Sequence, residues 1–69
     1  GQHERAVDTL AKAAERLPNQ GVALYHLGLA QEALGRQADA RASIERALEI
    51  EPQASWAVEA RARLANGRK

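Results

Sequence analysis

Residues 21–54 read GVALYHLGLAQEALGRQADARASIERALEIEPQA, and this stretch decides the fold. From Gly21 to Leu34 the residues Leu24, Leu27, Gly28 and Gln31 recur at i, i+3, i+4 and i+7, the spacing of one helix face. Gly35 follows, a residue that adopts left-handed backbone without strain and so closes a helix. From 37 to 50 a second inward face gathers Ala40, Ile44, Ala47 and Leu48. It ends before Pro52, which cannot continue a helix and restricts the residue before it. The short link between the two runs makes them antiparallel neighbours. Gly28 stands in mid-helix, where it costs ~1 kcal/mol relative to Ala. Its expected use is to let the facing helix, with Ala40 and Ala47, approach closely.

Outward from this hairpin, a shift of 34 positions aligns Gly1 with Gly35, Ala6 with Ala40, Leu10 with Ile44 and Ala13 with Ala47. It also aligns Glu15 with Glu49, Pro18 with Pro52, Ala23 with Ala57 and Leu24 with Val58. A helix-closing Gly, small residues at packing points and a Pro at the junction repeat together, as in stacked helical repeats. A preceding helix is therefore expected over 2–17, its apolar face built from Ala6, Val7, Leu10, Ala13, Ala14 and Leu17. A following helix is expected over 54–65, with Ser55 placed to cap its start and Asn66-Gly67 to end it. The chain reads as all-α, one domain over 1–69, with antiparallel helices at about 2–17, 21–34, 37–50 and 54–65.

Composition agrees and narrows the function classes. Hydrophobic residues make up 45% of the chain but aromatics only 3%, so Ala and Leu carry the core and suit closely packed helices. Ten basic against nine acidic residues give a net charge of +1, too balanced to suggest a nucleic-acid or membrane-surface protein by itself. Without cysteine, disulfides and thiolate metal sites are excluded. No run reaches the ~20 apolar residues of a membrane span, so no membrane insertion is expected.

The residues of 21–54 resemble a tetratricopeptide repeat. Leu24, Leu27, Gly28, Ala40, Ile44, Ala47 and Pro52 fall where that family places its large, small and Pro positions. The runs "Ala-Leu-Gly-Arg" at 33–36 and "Arg-Ala-Leu-Glu-Ile-Glu-Pro" at 46–52 are similar to its inter-helix turn and second-helix end. Gln31 departs from the usual aromatic, and Leu24 replaces a frequent Trp. By the same resemblance, residues 1–20 look like the second helix of a preceding repeat. Residues 55–69 look like a capping helix and tail, in which Arg61 and Ala62 replace Leu27 and Gly28. The surroundings "Leu-Tyr-His-Leu-Gly" and "Ala-Val-Glu-Ala-Arg-Ala-Arg-Leu" are also similar to repeat proteins of bacterial envelope and exopolysaccharide systems.

The resemblance implies an α-solenoid whose first helices line a groove for a partner peptide or helix. It implies no enzymatic activity, cofactor or small-molecule substrate. By helical register the groove side of the second helix carries Val22, Tyr25, His26, Leu29, Glu32 and Ala33. The fourth helix offers Trp56, Glu59, Ala60 and Arg63. Tyr and Trp suit binding because they combine large contact area with a polar handle. Each has a competing use: Tyr25 packed on a neighbouring helix, Trp56 as an anchor of the core. The Lys, Arg and Asn clamp with which some family members grip a peptide carboxylate is missing. The alternative to a binding module is a structural capping segment of a larger scaffold.

Catalytic patterns do not form. His3-Glu4 opens like a zinc-protease signature, but Val7 stands where the second His is needed. Ser43 and Ser55 lack a glycine-rich elbow, and there is no Gly-rich phosphate loop. Glu45, Glu49 and Glu51 beside Arg41 and Arg46 read as a solvated face with i, i+4 pairing. The basic run Arg61, Arg63, Arg68 and Lys69 is a candidate for acidic partners, nucleic acid or an anionic lipid surface, though cations also suit a helix C-terminus. Fewer than two repeats would leave Val7, Leu10, Ala14 and Leu17 as an uncovered stripe, as expected of a piece of a longer array or a homodimer through the first helix. The cytoplasm is the default compartment, with the periplasm or envelope if a longer chain carries an export signal.

Overall fold

The structure, a computed structural model, describes residues 1–66. Four helices follow one another: α1 (Gln2–Arg16), α2 (Val22–Ala33), α3 (Gln37–Ile50) and α4 (Ala57–Asn66). No strand occurs among the described residues. Each helix packs on its neighbour in sequence, α1 on α2, α2 on α3 and α3 on α4. The fold is all-α and built of helical hairpins.

The α2–α3 hairpin forms where the sequence demands it. Gly35 has φ +78°, and its amide donates to the Glu32 carbonyl at 2.9 Å while the Arg36 amide donates to Gln31 at 2.9 Å. These two bonds satisfy carbonyls that the helix end leaves free. The helices then cross at Gly28. A Cβ built there would lie 2.5 Å from Ile44 Cγ1 and 3.1 Å from the Ala40 carbonyl oxygen. The close approach expected of Gly28 is therefore real, but its partners are Ile44 and Ala40 rather than Ala40 and Ala47. Ala47 meets Gly21 instead, where a Cβ would stand 2.5 Å from the Ala47 carbonyl oxygen. Ile44, Tyr25, Ala47 and Ala60 form the buried centre, with Leu24, Leu29, Leu48, Trp56 and Leu64 packed around them.

The two flanking helices differ from expectation in one respect each. α1 stops at Arg16, with Leu17 as its C-cap. It contributes no fully buried residue, and Leu17 is 43% exposed. α4 begins at Ala57 rather than at 54, because residues 52–56 form turns. The Ala54 amide donates to the Glu51 carbonyl at 3.3 Å and the Ala57 amide to Ala54 at 3.0 Å. The latter bond takes the amide that a Ser55 cap would have used, so Ser55 does not play that part. The first i→i−4 bond of α4 runs from Ala60 to Trp56 at 3.0 Å. The turn keeps Trp56 folded inward over Gly21, whose Cβ would lie 3.0 Å from the indole ring.

Gly28→Ala tests the crossing. Overpacking costs ~1–3 kcal/mol and the gain in helix propensity offsets ~1 kcal/mol of it. The expected result is a net loss of about 1 kcal/mol in urea denaturation followed by circular dichroism. A variant as stable as the parent, or more stable, would show that α2 and α3 have room to spare.

Candidate interaction surface

Helices α2 and α4 are held side by side mostly through side chains. The Tyr25 hydroxyl donates to Glu59 Oε1 at 2.8 Å. Arg63 Nη1 donates to Glu32 Oε1 at 2.8 Å, and Arg63 Nε lies 3.6 Å from Glu59 Oε1. The result is a continuous polar seam, Tyr25–Glu59–Arg63–Glu32, running from one helix to the other and back. The ring of Tyr25 stacks on Trp56 with centroids 5.0 Å apart and planes 8° from parallel, an arrangement favourable for offset aromatic pairs.

Residues 21–54 match the family model described as tetratricopeptide repeat. They are a tetratricopeptide repeat. The curated proteins and the solved structures yielded no match to the chain. The identification is therefore of the repeat, and not of any one system that uses it. Repeats of this family are typically non-catalytic modules for protein–protein interaction.

Within the repeat and its flanks, the residues expected to line a groove divide into two sets. Val22 and Leu29 are half-buried and His26 is exposed, so these three reach the surface of α2. Glu59 is exposed on α4 with 65% of its side chain accessible. Tyr25 belongs elsewhere: it is only 4% exposed, and its expected projection into the groove is corrected. Its aromatic face is covered by Trp56 and its hydroxyl is used by Glu59, so it joins helices instead of offering a free surface. Ala60, also expected on the groove side, is fully buried. Trp56 is half-buried and packs on the core cluster, the anchoring use expected of it, while part of its indole stays accessible. Glu32 and Arg63 are half-buried and committed to each other.

The seam perturbs its own titration. Burial, reinforced by the hydrogen bond to Glu59, raises the Tyr25 phenol above its ordinary value, and Arg63 opposes this only in part. For Arg63 burial alone would lower the guanidinium. Its bond with Tyr25 and the charges of Glu32 and Glu59 outweigh that effect and raise it.

Several structural residues carried a weaker sequence signal. Ser43, weighed as a nucleophile, is buried and donates its hydroxyl to Gln31 Oε1 at 2.6 Å. This pair fills the position where Gln31 replaces the family's usual aromatic. Glu51, read as part of a solvated face, accepts the Gly21 amide at 2.6 Å, a favourable place for a carboxylate at the start of α2. Gly21 itself shares a face with Gly28 seven residues on, and that spacing was the available clue. The Arg41–Glu45 pair does occur, at 3.7 Å. Pro52 lies exposed in the turn, and its carbonyl accepts from Arg61 Nη2 at 2.6 Å. Among the described residues no cluster of three metal-binding side chains occurs, and no helix is long and apolar enough to cross a membrane.

The chain has one tyrosine, so absorbance of tyrosinate reports Tyr25 alone. Its midpoint in the folded chain is expected above the unfolded value of ~10. Because the folded state holds the proton more tightly, this contribution to stability is present below pH ~10 and is lost as pH rises through the folded value. Glu59→Gln is expected to lower the folded midpoint by removing the neighbouring negative charge. An unchanged midpoint in that variant would detach Tyr25 from the seam.

Proposed function

We propose that the chain binds a segment of a partner protein across the surface shared by α2 and α4. The observation that supports this reading is the Tyr25–Glu59–Arg63–Glu32 seam. It fixes the spacing between the accessible residues of α2 (Val22, His26, Leu29) and those of α4 (the free edge of Trp56 and Glu59). A surface held in place before binding has less conformational entropy to lose. Its mixture of half-buried apolar groups with a His and a carboxylate suits a helix or an extended segment with alternating apolar and polar side chains.

A structural role inside a larger scaffold is the alternative. It is favoured by Arg61, which replaces Leu27 of the preceding repeat and turns back onto the Pro52 carbonyl. Nucleic-acid binding through the basic C-terminal run has less support. Of its four cations, Arg61 is held by Pro52 and Arg63 by Glu32, while Arg68 and Lys69 lie outside the described residues.

The test is a pair of charge changes on exposed positions, with capture from the source cell as the readout. His26→Asp is expected to weaken retention of the captured partner about tenfold, the range of a central contact. Glu49→Lys, exposed on α3, is expected to leave retention unchanged. Equal retention by both variants would remove the α2–α4 surface from consideration and favour the scaffold role. Tyr25→Ala would be uninformative, since it opens the core.

A further inference from the structure

A cleft of about 360 Å³ runs between α1 and α3, above α2. Leu24 and Leu27 form its floor, Ala14, Glu15 and Pro18 its α1 bank, and Arg46 stands on the α3 bank. All three helices that build it are present in the chain. In the 34-residue register the helix that precedes α1 in an array packs on Ala6, Leu10 and Ala13, the counterparts of the buried Ala40, Ile44 and Ala47. The cleft lies on the neighbouring face of α1, so further repeats at either end leave it open.

The chain itself shows what such a cleft accepts. The turn at its end and the turn one repeat later match bond for bond. Leu17 donates to Ala13 and Gln20 to Leu17, both at 3.0 Å, and Glu51 donates to Ala47 at 3.0 Å and Ala54 to Glu51 at 3.3 Å. Glu15 and Pro18 therefore stand as Glu49 and Pro52 do at the second turn. There Arg61 lays its side chain back over the turn, and Nη2 donates to the Pro52 carbonyl at 2.6 Å. At the first turn Leu27 holds the place of Arg61, and among the described residues no donor reaches the Pro18 carbonyl. Glu15 and Arg46 are both exposed, and neither forms an ion pair among the described residues. A cleft open along one side does not bury ~70–90% of a free small molecule, as enclosed ligand sites do. It suits a side chain held in place by a larger partner.

We propose that this cleft receives an arginine side chain from a partner protein, its stem on Leu24, Leu27 and Ala14 and its guanidinium between the Pro18 carbonyl and the Glu15 carboxylate. The stem of arginine covers apolar surface while its head offers donors to both oxygens. Arg46 on the opposite bank favours an acidic residue beside that arginine and repels a second cation. The site shares no residue with the surface of α2 and α4, and it stands whether or not that surface binds.

The probe is capped arginine (N-acetyl-arginine methylamide), titrated into the isotope-labelled whole chain and followed by amide shifts in NMR spectra. Saturable shifts are expected at Asn19, Leu24 and Leu27, with affinity falling as salt rises. Capped citrulline has the same shape without the charge. It is expected to bind about tenfold more weakly, because hydrogen bonds from a charged donor are the stronger kind. Glu15→Gln is expected to lower affinity for arginine about threefold, the range of an exposed pair. Leu24→Trp raises the floor and should abolish the shifts, with circular dichroism checking that the variant stays folded. Equal affinity for arginine and citrulline, tighter binding of capped leucine, or shifts centred elsewhere on the chain would each overturn the proposal. So would the absence of saturable binding to the parent chain.

Discussion

The contact between Gly28 and Ile44 sets the distance between α2 and α3, and the remainder of the molecule follows from that distance. Gly21 lies on the same face of α2, so α3 runs along a track without side chains at two points seven residues apart. At one end the Ala47 carbonyl comes close to Gly21, and at the other Ile44 comes close to Gly28. Only at this separation does Ser43 reach Gln31, and Glu51 reach the amide that opens α2. Polar groups buried without partners would destabilise so small a core, and the narrow crossing provides the partners.

Much of this was readable in the sequence because the helix period and the breakers act locally. Leu24, Leu27, Gly28 and Gln31 define a face whatever lies opposite, and Gly35 and Pro52 end helices for reasons internal to the backbone. The start of α4 was not readable in the same way. Ser55 is a good capping residue, but the inward packing of Trp56 on Tyr25 and Gly21 holds residues 52–56 in turns. That is a tertiary influence on a local preference, and a single sequence does not display it.

Tyr25 teaches a related lesson. Helical register put it on the side of α2 away from Leu24, Leu27 and Gly28, yet it packs in the buried centre with Ile44, the residue that also meets Gly28; a side of a helix is not yet a surface. Whether it faces solvent depends on where the next repeat lies. Here α4 lies against it, with Glu59 placed to accept its hydroxyl and Trp56 to cover its ring. The residues left accessible beside it, His26 and the half-buried Val22 and Leu29, are smaller or more polar than the aromatic pair. The surface shared by α2 and α4 is thus built around a buried aromatic stack and does not consist of it.

The ties between distant parts of the chain share one property. Glu51 to Gly21 spans 30 residues, Glu59 to Tyr25 spans 34 and Arg63 to Glu32 spans 31. Each is about one repeat long, so closing any of them requires a loop of nearly the same modest length. Order can then spread from the α2–α3 hairpin one helix at a time, without waiting for remote ends to meet. A chain built this way is expected to fold rapidly for its size, since search time grows with the separation of the residues that must find each other. The same property lets such a segment be lengthened by whole repeats without altering the steps by which those already present become ordered.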